Sequence, residues 1–328
     1  MKSICIWDFF PMPDPKSREK CESASIQEYT IPPWFDPDLE VLKSLPTSLR
    51  EASSILSTFY EYNPADDFEK HFVEYIFFSN AIEQAGLDEQ QTRDIVKKML
   101  GGESIETDES VPLRSSNSYS QNEVTQHVKA YFYLQNSLSK NLLDESILLE
   151  THRILTQGIP AMNGEQGYQG KYREVAVQVG RPSVEKVVES PVATEEVRPM
   201  MAKWIEDFRA CQQNAPADLI AVAAELKLQF VHIHPFLDGN GRMSRMLFNS
   251  LLNQHYPYIL CIFGEDARER TRYQHAIGKA IDNDRKIFSF YVLRRTVKSV
   301  VQQLGSVAKL SSQASALIET FEKILQNK

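Results

Sequence analysis

His234 and Asp238 frame a short run that closes on two arginines, Arg242 and Arg245, with Gly239, Asn240 and Gly241 between them. These are the residue types that phosphate chemistry needs. A histidine titrates near neutrality and can take a proton from a hydroxyl. A carboxylate such as Asp238 is a natural ligand for a hard cation such as Mg2+. Guanidinium groups pair with phosphate oxygens in a bidentate fork. Asp238-Gly239-Asn240-Gly241 signals a turn, because Gly and Asn accept positive φ cheaply. After it, Met246, Leu247, Leu251 and Leu252 recur at helical spacing up to His255. A turn that opens a helix leaves backbone N–H groups unpaired, and with the helix dipole they make an anion site. Arg242 and Arg245 share a face near that positive end, so a bound polyphosphate would relieve their repulsion.

Each residue also has an ordinary reading. Asn240-Gly241 is a common hairpin turn. His232, His234 and Asp238 can be read as a zinc set, though no His-Glu-x-x-His spacing supports it. A single histidine is more often structural than catalytic. Taken together at this spacing, the residues favour a phosphate-handling site.

The elements that must carry this run are helical. Pro37–Tyr60 sets Leu39, Leu42, Leu45, Leu49, Ile55 and Leu56 on one face, with Pro46 expected to kink or break it. Further helices are expected over 65–83, 87–100, 122–138, 144–155, 195–211, 217–232 and 265–281. Pro216 suits the start of the helix that delivers His234. Arg285–Gln326 is one long amphipathic pattern, with a break near Gly305. Residues 1–36 are Pro-rich and read as an irregular arm, while 101–119 and 181–192 read as loops. One stretch departs from the helical period: Val175, Val177 and Val179 alternate, as in a strand, so a short hairpin is expected there.

Composition narrows the function classes. The chain has 328 residues, 42% hydrophobic and 24% charged, which suits one large or two modest globular domains. A net charge of −8 argues against a nucleic-acid partner, which would call for a basic surface. Cys5, Cys21, Cys211 and Cys261 are scattered without metal-ligand spacing and read as free thiols in a reducing compartment. The opening residues do not read as a secretion signal and no run reads as a membrane span, so cytoplasm or nucleus is the expected location.

The run from His234 to Arg245 resembles the signature of the Fic family, His-Pro-Phe-x-Asp/Glu-Gly-Asn-Gly-Arg-x-x-Arg, at every fixed position. The resemblance implies a mainly α fold: a Fic-domain helical core over 141–293 with a short β-hairpin flap, a helical N-terminal region over 37–140, and a C-terminal helix over 294–328. It implies a protein adenylyltransferase, moving AMP from ATP to a Ser, Thr or Tyr hydroxyl of a target protein. In that family pattern His234 is the general base and Asp238 holds Mg2+. Asn240 and the backbone of Gly239 and Gly241 cradle the phosphates. Arg242 contacts the β-phosphate and Arg245 the γ-phosphate. Phe236 anchors the loop, and Tyr273 falls near the position of an adenine-packing tyrosine. Gly170-Lys171-Tyr172-Arg173 and the valines after it resemble the family's flap, 170–180, which docks the target by strand addition.

Ser79 and Glu83 resemble the family's inhibitory motif, Ser/Thr-x-x-x-Glu-Gly/Asn, whose glutamate pairs with the second signature arginine, here Arg245. Gln84 stands where Gly or Asn is expected. The intact glycines favour AMP over UMP or phosphocholine. Hydrolysis of an AMP–protein bond, with Glu83 orienting water, is the other alternative. Self-modification and a homodimer stay open as partners; nucleic acid and membrane are not expected.

Overall fold

The computed structural model describes residues 39–62, 66–107, 117–161, 165, 167–181, 186–190, 192–281, 285–309 and 311–326. The arm expected over 1–36 lies outside them, as does part of the loop over 101–119. The helices are α1 (Leu39–Tyr62), α2 (Asp66–Ile82), α3 (Glu89–Leu100), α4 (Asn117–Leu138), α5 (Glu145–Thr156), α6 (Thr194–Gln213), α7 (Leu219–Ile233), α8 (Asn240–His255), α9 (Ala267–Ile281), α10 (Arg285–Val307) and α11 (Ser312–Gln326). Between α5 and α6 the short strands β1 (Gln178–Arg181) and β2 (Lys186–Glu189) pair antiparallel, with Val179 opposite Val188.

α8 is the centre of the packing. Every residue from Arg242 to Asn253 is buried, and α2, α4, α6 and α7 all pack against it. A helix buried all round must satisfy its polar side chains internally. Asn249 does so by accepting from the Cys261 N–H at 2.7 Å and donating to the Cys261 carbonyl at 3.1 Å. Asn253 donates to the Ile259 carbonyl at 3.1 Å. The buried connector after α8 thus receives from side chains the hydrogen bonds that a sheet would otherwise supply. Gln303 and Ser299 of α10 complete the set, bonding Leu260, Tyr258 and Ile262. α7 carries apolar residues on several faces, with Leu219, Ile220, Ala223, Ala224, Leu226, Leu228, Phe230 and Ile233 buried between α6, α8 and α10.

Several expectations are corrected. Pro46 does not end α1, which runs on for four more turns. One missing hydrogen bond is outweighed by the buried stripe of Leu45, Leu49, Ala52 and Leu56. Residues 186–189 form β2 rather than loop, and β1 begins at Gln178, so Val175 and Val177 precede the strand. The α7 N-cap is Asp218, whose carboxylate accepts the Ala221 N–H at 3.0 Å, and Pro216 lies outside the helix. The pattern over 285–326 is two helices: α10 passes through Gly305, the chain reverses after Val307, and α11 packs back on α10 and α1. No boundary falls between 293 and 294, because α10 is continuous there and lies against α7.

Candidate active site

The run singled out in the sequence links α7 to α8. His234 is the C-cap of α7 and takes the left-handed conformation, φ 50° and ψ 59°. That conformation costs a residue with a Cβ roughly 1 kcal/mol, so the surroundings must hold it. Its N–H donates to the Phe230 carbonyl at 3.0 Å. Nδ1 lies 3.3 Å from the Val231 carbonyl, which fixes the proton on Nδ1 and leaves Nε2 free to accept. Burial pushes the imidazole pKa below its ordinary value. The Val231 carbonyl, Glu83 and Asp238 pull the other way, and Arg173 adds to the depression. A neutral imidazole with an open acceptor nitrogen is the form a general base requires.

The loop after it is braced from both sides. Asn240 bonds Phe236 with both ends of its side-chain amide, accepting from the Phe236 N–H at 3.0 Å and donating to the Phe236 carbonyl at 2.8 Å. Its carboxamide therefore clasps the loop with one donor and one acceptor. Phe236 is fully buried and stacks on His152 with centroids 3.7 Å apart and planes 4° from parallel. The Gly170 N–H donates to His152 Nδ1 at 3.0 Å, so Nε2 carries the proton and donates to the Asp238 carbonyl at 3.0 Å. Burial drives His152 down to about 3, which keeps it neutral in this strut.

The N-terminus of α8 has no capping side chain. Gly239 is its N-cap at φ 79°, whereas α3, α5 and α7 are capped by Asp88, Asp144 and Asp218. Asp238 turns back to accept the Gly239 N–H at 2.6 Å. Arg242 lies buried between Glu123 of α4, 3.6 Å away, and Asp238, 4.0 Å away. Its Nε and Nη1, and Nη1 of Arg245, have no hydrogen-bond partner among the described residues. Buried guanidinium donors at a helix N-terminus are what an oxyanion would satisfy.

Glu83 stands at this spot. Its Oε1 lies 2.8 Å from Arg245 Nη2, and a β-carbon placed on Gly241 would overlap it. Burial pushes its pKa up, but Arg245, Arg242 and His234 outweigh that and hold it below the ordinary value. Ser79 also holds Arg245, accepting from Nε on Oγ at 2.8 Å and from Nη2 on its carbonyl at 2.7 Å. The end of α2 sets this geometry. The Ala85 N–H reaches the Asn80 carbonyl and the Gln84 N–H the Ala81 carbonyl, a Schellman arrangement with Gln84 in the left-handed position at φ 54°. Gly or Asn adopts that conformation more cheaply, which gives a physical reason for those residues after the glutamate.

Tyr273 is placed differently from expectation. It is 2% exposed and packs in the core against Phe263, Phe288 and Tyr291. Its hydroxyl lies 2.5 Å from the buried Lys227 amine, so its ring supports Arg245 from below and offers no open face to an adenine. Three residues of this neighbourhood were not singled out as site candidates. Glu123 and Lys227 carry no local signal, since each is an isolated charge on a helix. Arg173 lies in the Gly170–Arg173 run, and its bonds were not readable there.

Residues 142–252 match the Fic/DOC family. The chain is 27% identical over 277 residues to "Protein adenylyltransferase Fic" of Drosophila grimshawi, covering 83% of this chain and 52% of that protein. The corresponding protein of Drosophila willistoni is also 27% identical over 277 residues, with 50% of it covered. The chain thus spans about half the length of the curated relatives it matches. Among solved structures, a Fic family protein from Desulfovibrio desulfuricans superposes with a TM-score of 0.62 at 20% identity, covering 91% of this chain and 85% of that one. Fic-1 from C. elegans gives 0.60 at 21% identity, covering 83% and 74%. At these identities the solved structures establish the fold.

Proposed function

For a chain that carries a Fic domain over residues 142–252, we propose the activity of a protein adenylyltransferase that moves AMP from ATP to a hydroxyl of a target protein. One observation carries this reading. An uncapped helix N-terminus, buried guanidinium donors and a neutral imidazole converge at one point, and a carboxylate of the chain already sits there as an anion.

On this reading the residues take the following roles. His234 accepts the proton of the target hydroxyl on Nε2, and the hydroxyl oxygen attacks the α-phosphate as pyrophosphate leaves. The N–H groups of Asn240 and Gly241, with Arg242 and Arg245, bind the phosphates and take up the charge that develops on them. Asp238 is the carboxylate that would hold Mg2+ on this reading. The metal, when bound, neutralises phosphate charge. The hairpin β1–β2 is the proposed dock for the target segment, by main-chain pairing.

On the same reading Glu83 acts as a brake. A γ-phosphate would have to displace its carboxylate from Arg245 and from the space over Gly241. A second reading is hydrolysis of an AMP–protein bond, supported by the contact of Glu83 with Arg245 and its electrostatic coupling to His234. Incubation with ATP labelled in the α-phosphate tests both. Protein-bound label from the Glu83→Gln variant supports transfer, release of label as AMP from a pre-labelled protein by the wild type supports hydrolysis, and the absence of both signals would reject both.

A further inference from the structure

Arg173 stands where the chain enters the hairpin, and its side chain reaches both ends of that hairpin and the end of α7. Nε donates to the His234 carbonyl at 2.8 Å. Nη2 donates to the Val192 carbonyl at 2.6 Å, to Ser190 Oγ at 3.2 Å and, more weakly, to the Ile233 carbonyl at 3.4 Å. Nη1 donates to the Val175 carbonyl at 3.2 Å, and the Arg173 N–H donates to the Pro235 carbonyl at 2.9 Å. The residue is buried, and among the described residues its bonds end on carbonyl and hydroxyl oxygens. A desolvated guanidinium is costly to keep, and here its compensation is the open carbonyls at the C-terminal end of a helix, where a cation is favoured.

We propose that Arg173 is a positioning residue for the transfer step, locking the base of the hairpin to the main chain of His234 so that the target-docking strand and the imidazole are held as one body. The inference rests on the reading of His234 as the base. His234 is in a left-handed conformation, and nothing intrinsic to a histidine keeps it there. Its carbonyl is gripped by Arg173, while the ring is oriented by Val231. Val175 and Ser190–Val192 bracket the hairpin on either side, and the Ser190 N–H closes it on the Val177 carbonyl at 2.8 Å. One planar fork therefore fixes two things that must meet at the reacting hydroxyl. A lysine has the charge but not the fork, so it cannot bridge the same oxygens.

The alternative is a clamp that only stabilises the fold, and the test separates the two. The full chain is used in the Glu83→Gln background, carrying Arg173, Arg173→Lys or Arg173→Met, with folding checked by thermal melting. On our proposal kcat falls about 10²-fold in both variants, the cost of a small misplacement of the base. The KM for ATP stays within about threefold, because the phosphate contacts lie elsewhere. A second readout needs no turnover: the NMR titration of the His234 ring. The charged groups facing it are Glu83 from α2, Asp238 from the loop and Arg173 from the hairpin entrance, and the background removes the first from all three proteins alike. Arg173→Met takes away a cation, so the ring titrates at higher pH; Arg173→Lys keeps the charge and shifts it less.

Unchanged titration in both variants, or a kcat that falls only in step with the folded fraction, would overturn the proposal. If Arg173→Met does not fold, the kcat and KM of Arg173→Lys decide alone. If no protein of the set labels a target while the titrations shift as stated, the adenylyl-transfer reading fails and the placement of His234 by Arg173 stands.

Discussion

Glu83 reaches from the end of α2 to Arg245 of α8, 2.8 Å from oxygen to nitrogen, and so fills the space above Gly241 with a carboxylate. The guanidinium is 1% exposed and the carboxylate side chain 38% exposed, so one partner is buried and the other faces the opening.

On the proposed function, Glu83→Gln and Glu83→Gly are both expected to raise protein labelling by about 10²-fold over wild type, because the α-phosphate gains its in-line position. The half-exposed carboxylate limits the stability cost of Glu83→Gln to about 1 kcal/mol. Labelling at matched Mg-ATP, with a thermal melt of each protein, checks both numbers. Equal labelling in all three would remove Glu83 from regulation.

Gln84→Gly addresses the turn that aims Glu83. Gln84 sits at φ 54°, where a side chain costs roughly 1 kcal/mol that glycine does not incur. The variant is expected to melt about 2 °C higher and to label less than wild type, since the inhibitory turn is better held. A lower melting temperature would mean that the Gln84 side chain makes contacts that outweigh the strain.

The pH dependence of transfer follows from His234. A base works when deprotonated, and burial sets its pKa below the ordinary 6.5. The rate is therefore expected to fall in acid with a midpoint below pH 6.5, and His234→Ala is expected to lose transfer while still binding ATP. A pH–rate profile on the Glu83→Gln protein gives the midpoint. A midpoint above 6.5 would contradict the desolvated ring.

His152 links stability to pH. Its folded pKa, about 3, lies below the unfolded value near 6.5, so its share of stability is complete above pH 6.5 and is lost as pH falls toward 3. His127, His234 and His255 are depressed by burial as well and add to the slope. Urea midpoints are expected to be level above pH 6.5 and to decline below it. His152→Gln is expected to cost about 1–3 kcal/mol at pH 7.5, since it unmakes the strut between Gly170 and Asp238, and to flatten the acid slope by one histidine's share.

Asp238→Asn probes the metal. The carboxamide preserves an acceptor for the Gly239 N–H, so the loop is expected to keep its fold. Binding of Mg-ATP is expected to weaken by about tenfold relative to ATP in EDTA, the loss of one hard-cation ligand. Calorimetric titration with and without Mg2+ reads this directly, and equal affinities for the variant and wild type would assign the cation elsewhere.

The contiguous part of this protein was legible from its residues. His234 to Arg245 announces a turn and a helix because the signals are neighbours in the chain, and the helical period of α2, α5, α7 and α8 follows from where the apolar side chains fall. The resemblance of Ser79 and Glu83 to an inhibitory motif was also visible. What folding alone decided are pairings between distant segments. Ser79 and Arg245 are 166 positions apart, and no local pattern measures that gap. Nor could sequence show that Glu123 would share Arg242 with Asp238, or that Tyr273 would turn into the core onto Lys227. The same holds for Asn240 and Arg173, whose donors go to main-chain carbonyls. A carbonyl is present at every residue, so its identity carries no information. Only packing, which brings one particular carbonyl within 3 Å of one particular donor, determines which of them a side chain will hold.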